Sequence, residues 1–293
     1  MLNTTIRPNF DKWASHYNDT TPIQQHTVQT LATLIKTHNT PNHSPNPTQN
    51  PCQTWLDIGC GTGGLSQAVL ENLLPTREGE NYPLTWYGLD NSAKMLEIFE
   101  QNLRDIDAYK GRFFSQFMRE GLLSDMQAIP LQAGSVTTII SSFALHWVGQ
   151  GSADKMVAEL GRVLAPNGQI HVAIPVAGSL SALQTRCPHL PLFAFAQGAD
   201  WIASFERLIK QRGGDWLYQR TERFSHAYPD VRTLLQALKR MGGTFSRADS
   251  GNLGSIKTLR YYLQSERLQQ ARLQTTTIDL DYHVLIVGIR LPK

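Results

Sequence analysis

Cysteine is scarce: Cys52, Cys60 and Cys187 are the three in a chain of 293 residues. They are too few and too scattered for a disulfide framework or a zinc site, and a reducing, cytoplasmic location is the expectation. Charge is sparse as well. Charged residues make up 17%, below the roughly 25% of an ordinary globular chain, and 27 Lys+Arg against 24 Asp+Glu leave a net charge of +3. So small an excess, with no basic tract interleaved with aromatics, argues against a nucleic-acid partner. No apolar run approaches the roughly 18 residues of a spanning helix, and the opening MLNTTIRPNFDKW has no signal-peptide core, so no membrane association is expected. No cluster of ligating side chains has metal-site spacing, and no metal is expected. What is present is an ordinary globular content, 41% hydrophobic, on a chain long enough to bury most of its surface without staples.

The chain reads as one domain with additions. Residues 1–35 carry Phe10, Trp13 and Tyr17, then a helical apolar spacing at Val28, Leu31, Leu34 and Ile35. Residues 36–53 hold prolines at 41, 45, 47 and 51 and no periodicity, the composition of a flexible connector. From Thr54 short apolar runs (Thr54–Ile58, Thr85–Leu89, Val136–Ser141, Gln169–Ile174) alternate with helical stretches near Leu65–Leu74, Ala93–Asn102 and Ala153–Leu164. A third strand is expected within Arg104–Leu123. Such alternation implies parallel strands joined by right-handed crossovers, an α/β doubly wound sheet. The cofactor-binding core would span 54–175. After Pro175 the rhythm breaks: 176–215 is rich in aromatics and small residues with no evident strand and reads as an insertion over the active site. The remainder, 216–293, carries an apolar helix over Val231–Met241 and a β-branched last strand, Tyr282–Arg290.

Where the first strand meets the first helix of the sheet, the sequence reads Asp57-Ile58-Gly59-Cys60-Gly61-Thr62-Gly63-Gly64. As G-x-G-x-x-G it matches a dinucleotide fingerprint; as G-x-G-x-G it matches the loop of S-adenosylmethionine (SAM) enzymes. Glycines there allow a tight turn and let a ligand reach the backbone, and by themselves they do not choose. Two neighbours do. Asp57 would repel a pyrophosphate but suits a cationic amino group such as SAM carries. Leu164-Ala165-Pro166-Asn167-Gly168 is worded like the turn before the fifth strand of class I SAM-dependent methyltransferases. Asp90 ends the second strand, placed to accept both ribose hydroxyls, with Asn91 beside it. Cys60 is a small residue inside the loop. Met95 packs either beside the nucleoside or in the core. Asp125 and Met126 follow the third strand, where enzymes of this class hold the adenine, and Ser142 ends the fourth.

Several further segments carry a resemblance. Phe10…Ala14-Ser15-His16-Tyr17…Gln24, Ser142-Phe143-Ala144-Leu145-His146-Trp147, Ala177-Gly178-Ser179-Leu180, Leu238-Lys239-Arg240-Met241-Gly242-Gly243-Thr244 and Tyr282–Gly288 stand in an order similar to that of the malonyl-[acyl-carrier protein] O-methyltransferases of biotin synthesis. The likeness runs from about Phe10 to Arg290. It departs at the long 36–53 connector, at Thr137-Thr138 (where many relatives carry an acid) and over Arg104–Leu123.

The resemblance implies a seven-stranded sheet, SAM as cofactor, and methyl transfer to the free carboxylate of a malonyl thioester on acyl carrier protein or coenzyme A. A carboxylate is already ionised at neutral pH, so no general base is required. Tyr17 and His146 are the expected donors to the reacting carboxylate, and Trp147 an apolar wall. Arg186, Arg240 and Arg247 are candidate cations for the substrate. Two alternatives stay open at this level: a SAM enzyme acting on another small molecule, and a SAM-binding protein without catalysis.

Overall fold

The computed structural model describes residues 11, 14, 22–38, 52–73, 82–110, 114–186, 192–240 and 277–292. Helix α1 (Pro22–His38) precedes strand β1 (Gln53–Ile58), and α2 (Gly64–Leu73), β2 (Tyr82–Asp90), α3 (Ala93–Lys110) and β3 (Phe114–Leu123) follow. Next come β4 (Val136–Ser142), a short 3-10 turn (Leu145–Val148), α4 (Ala153–Val163) and β5 (Leu164–Val176). Helices α5 (Ser181–Arg186) and α6 (Gly198–Arg212), β6 (Asp215–Tyr228), α7 (Val231–Arg240) and β7 (Ile278–Arg290) complete the described elements. The strands form one seven-stranded sheet in the order β3-β2-β1-β4-β5-β7-β6. Strands β1 to β5 pair in parallel and β7 runs antiparallel between β5 and β6. The winding reverses between β1 and β4, the position at which open α/β sheets bind ligands beyond their carboxyl ends.

Strand pleating sorts the inner residues to opposite faces. Trp55 of β1 stacks on Trp86 of β2, ring centres 5.0 Å apart, in the core shared with α1, α2 and α3. Leu56 and Ile58 point the other way, into the core shared with α4 and α6. In α4 the buried Met156, Val157, Leu160 and Val163 fall at helical spacing, which commits that face to the sheet. Helix α1 buries Ile23, Thr27, Leu31, Ala32 and Ile35 along one stripe and leaves the opposite stripe to face elsewhere. Its carboxyl end is tied down: Arg290 Nη2 of β7 donates to the His38 carbonyl at 3.0 Å. Behind that bond runs a buried polar chain. With its amide oxygen accepting from Arg290, Gln169 donates to His171 Nε2, and His171 Nδ1 then donates to the Tyr218 hydroxyl. Burial lowers the His171 pKa to about 3, so the ring stays neutral.

The expected inner strands and helices are present, with ends shifted by a few residues. The third strand occupies the last half of its expected window. Sequence reading did not place β6, an edge strand in which Arg220, Glu222, Arg223 and His226 dilute the apolar alternation. Thr137, one of the departures from the resemblance, bridges two strands: its Oγ1 donates to the Thr54 carbonyl and accepts from the Thr54 N–H, both at 2.9 Å. Most of the 36–53 connector lies outside the described residues.

Candidate functional site

The glycine loop begins where β1 ends. Gly59 and Cys60 both donate N–H to the Leu89 carbonyl of β2, at 2.7 and 3.1 Å, and Gly63 N–H closes a turn on the Cys60 carbonyl. Gly59, Gly61 and Gly63 all have positive φ. At Gly59 (φ +63°) a Cβ would stand 2.2 Å from the Ala144 Cβ, so both backbone and packing demand glycine. At Gly61 (φ +53°) a Cβ would meet no protein atom within 4 Å. That backbone faces open space and is reachable by a ligand.

Two carboxylates flank the loop. Asp57, at the end of β1, is 1% exposed, and its Oδ2 accepts from Ser66 Oγ of α2 at 2.7 Å. Ser66 in turn accepts from the Trp86 indole N–H at 2.8 Å. Burial pushes the Asp57 carboxyl up to about 7; the Ser66 hydroxyl opposes that rise and the charge of Asp90 adds to it. Asp90, at the end of β2, accepts from the N–H of Ser92 (2.9 Å) and of Gly61 (3.0 Å), which fixes the loop to the second strand. Burial raises its pKa too, against those two N–H donors. Ser92 Oγ donates to Asp11 Oδ1 at 2.5 Å and accepts from Met95 N–H, so residue 11 lies against the rim of the site.

A cavity of about 690 Å³ opens over these groups, within the ~300–1,000 Å³ usual for small-molecule sites. Its lining includes Asp57, Gly59, Cys60, Gly61, Asp90, Asn91, Met95, Met126, Ser142 and Trp147 from the sequence reading. Ser142 Oγ is buried there with no hydrogen-bond partner, a polar atom that a ligand would satisfy. Cys60 carries a thiol whose pKa burial pushes well up, the state of an unreactive side chain. The glycine cradle, the two acids (Asp57 buried, Asp90 half-buried) and the orphaned hydroxyl suit a cationic, hydroxyl-bearing ligand such as SAM.

Three expected residues that the structure describes stand apart from the lining. Gly63 shapes the loop from behind, against Phe99 and Leu103 of α3. Asp125 closes a local turn by accepting from the Gln127 N–H at 2.9 Å. His146 is 8% exposed within an aromatic cluster of Phe143, Trp147, Phe193 and Phe195. Its Nδ1 has no partner, and burial lowers its pKa to about 3, so it is neutral at physiological pH. Tyr17 lies outside the described residues, as does Arg247. Arg186 and Arg240 lie at the ends of α5 and α7, with their side chains outside the described residues.

The structure adds lining residues that sequence reasoning did not assign. Pro22, Gln25, His26 and Gln29 of α1, Gln67 of α2 and Phe143 after β4 all border the cavity. Residues 22, 25, 26 and 29 recur at the spacing of one helical face, the signal that would have found them. Phe143 is held at φ +54°, an uncommon conformation for an aromatic residue, and its N–H donates to the Ala173 carbonyl.

Comparison with known proteins agrees with this geometry. The model of the methyltransferase domain family matches residues 56–168. The malonyl-[acyl-carrier protein] O-methyltransferase of Alcanivorax borkumensis is 29% identical over 213 residues, which is 71% of this chain and 64% of that relative. Its namesake from Laribacter hongkongensis is 26% identical over 94% of this chain and 86% of its own. The one from Halalkalibacterium halodurans is 23% identical over 97% and 96%. Among solved structures, the YcgJ protein from Bacillus subtilis superposes with a TM-score of 0.53 at 14% identity, covering 92% of this chain and 99% of that one. A chain from the complex of the Haloferax volcanii Trm112 methyltransferase activator with a methyltransferase gives 0.53 at 15% identity, covering 98% of each. With the sheet order and the glycine loop, these likenesses show the Rossmann-like fold of class I methyltransferases, with a methyltransferase-domain match over residues 56–168.

Proposed function

We propose that this chain transfers the methyl group of SAM to the free carboxylate of a malonyl thioester carried by acyl carrier protein, an early step of biotin synthesis. The observation that carries the reading is the cavity at the carboxyl ends of β1, β2 and β4. Its lining holds the buried Asp57 and the half-buried Asp90, and among its described residues neither Lys nor Arg. The names of the relatives that span the chain supply the acceptor.

When bound, SAM supplies an activated methyl group, so the protein has to position, desolvate and exclude water. Asp57 would meet the ammonium of the amino-acid end, and Asp90 the ribose, in each case exchanging an internal hydrogen bond for one to the ligand or sharing it. Met95, Met126 and Asn91 would border the nucleoside. Phe143 and Trp147, backed by the aromatic cluster around His146, form a wall that sheds water from the reacting groups. A neutral His146 supports that wall; as an imidazole with pKa about 3 it brings no charge to an acceptor carboxylate. Tyr17 is proposed as a donor to that carboxylate, and Arg186, Arg240 and Arg247 as contacts for the acyl carrier.

The test is incubation of the protein with methyl-labelled SAM and malonyl-, succinyl- or acetyl-carrier protein. Label on the malonyl form, released by mild base, is expected; acetyl-carrier protein has no free carboxylate and should remain blank. Binding of SAM with no label on the malonyl form would remove the acceptor and leave the cofactor.

A further inference from the structure

The wall that α1 gives the cavity is polar in a particular way. Pro22, Gln25, His26 and Gln29 sit at i, i+3, i+4 and i+7, one face of the helix, while Ile23, Thr27, Leu31 and Ile35 occupy the face packed on the core. With Gln24 and Val28, which also line the cavity, the α1 wall therefore offers three amides and an imidazole, set on a helix whose carboxyl end is held by Arg290. The same cavity is lined by the acids Asp57 and Asp90, at the ends of β1 and β2. The lining thus combines acids from the strand ends, amide and imidazole groups from α1, and no Lys or Arg among the described lining residues.

An anionic ligand group would be repelled by the acids at the strand ends, and α1, which carries no acid, offers it donors. We infer that the Gln25–His26–Gln29 face of α1 is the carboxylate-binding site of this cavity. The amide N–H groups hold a carboxylate in place without a formal counter-charge. This matters chemically, because a guanidinium clamped on a nucleophilic oxygen withdraws the electron density that the oxygen must donate. The inference rests on the proposed function insofar as the carboxylate belongs to an acceptor. The same chemistry is also found at the amino-acid end of SAM itself, and the experiment separates these sources.

Gln25, His26 and Gln29 are exposed, so their replacement leaves the α1 core face intact. Gln25→Leu, Gln29→Leu and Gln29→Glu are compared with the unsubstituted protein by calorimetry. The probes are S-adenosylhomocysteine, methylthioadenosine (which lacks the amino-acid end) and malonyl-carrier protein added to the S-adenosylhomocysteine-loaded protein. Loss of one donor to a charged acceptor should weaken its ligand about tenfold, and Gln29→Glu, which adds a like charge, should weaken it further. Weaker S-adenosylhomocysteine with unchanged methylthioadenosine supports the inference and assigns the face to the cosubstrate's carboxylate. Unchanged S-adenosylhomocysteine with weaker malonyl-carrier protein supports it and assigns the face to the acceptor. Unchanged affinity for both, or equal weakening of methylthioadenosine, overturns it. If the unsubstituted protein has no affinity for malonyl-carrier protein, the acceptor reading falls. The inference is then decided by the S-adenosylhomocysteine arm alone, where an unchanged value overturns it.

Discussion

At the scale of single residues, the site is governed by what burial does to Asp57. Its carboxyl, normally near 3.8, is pushed up to about 7 because solvent is withheld from its charge. The folded state therefore holds the proton more tightly than the unfolded chain does. The stabilising contribution of that proton is fully present below 3.8 and is lost as pH rises through about 7. A ligand ammonium reverses the preference, since it favours the ionised form. Affinity for S-adenosylhomocysteine should thus fall by up to about tenfold per pH unit below 7 and level off above it. Methylthioadenosine, without the ammonium, should show no such slope, and Asp57→Asn should abolish the slope while weakening binding; calorimetry from pH 5.5 to 8.5 reads both. The two glycines separate folding from binding. Gly59→Ala meets Ala144 at 2.2 Å and should lower the melting temperature along with affinity. Gly61→Ala meets no protein atom, so its melting temperature should change little beyond the ~1 kcal/mol cost of positive φ, while SAM binding drops sharply. His146→Phe should leave the pH profile of methyl transfer unmoved between pH 5 and 8, because the native ring does not titrate there.

At the scale of elements, the lesson of the sequence is uneven. Strands β1, β2, β4 and β5 are buried apolar runs bounded by turns, so their positions could be read directly. The loop acids and glycines followed because a strand end, a turn and a helix start are local signals. Strand β6 was hidden since an edge strand exposes much of both faces and tolerates Arg, Glu and His in alternation. The cavity wall from α1 was half legible. Apolar spacing announced the helix, yet only the fold says which of its polar residues border the cavity. His146 was read as a donor because it follows β4; the fold turns its ring into the aromatic cluster instead of the cavity lining. Asp281 is prominent among the tertiary links that hold the insertion. Asp281 of β7 is fully buried and accepts from Ser181 Oγ (2.5 Å) and from Ala182 N–H (3.0 Å), capping α5, with Arg223 3.3 Å away. Asp281→Ala strands those donors and should cost about 2–4 kcal/mol in urea unfolding, with α5 becoming the most protease-sensitive of the described helices.

At the scale of the whole molecule, the fold brings the acids Asp57 and Asp90 and, among the described residues, a polar wall without Lys or Arg to the point where the sheet reverses its winding. Among the described residues no helix is long and apolar enough to cross a membrane. The proposed transfer requires no proton to be removed from the acceptor, only a carboxylate held in line with a methyl donor and shielded from water. The defining outcome is therefore the atom that receives the methyl group. The most direct measurement is carbon NMR of malonyl-carrier protein after incubation with the protein and SAM enriched at its methyl carbon. A new resonance at a methyl-ester position, which disappears on mild alkaline hydrolysis, is the result predicted here. A methyl resonance on carbon, nitrogen or sulfur, or enriched methyl that stays on SAM while the protein is saturated with it, would contradict the account.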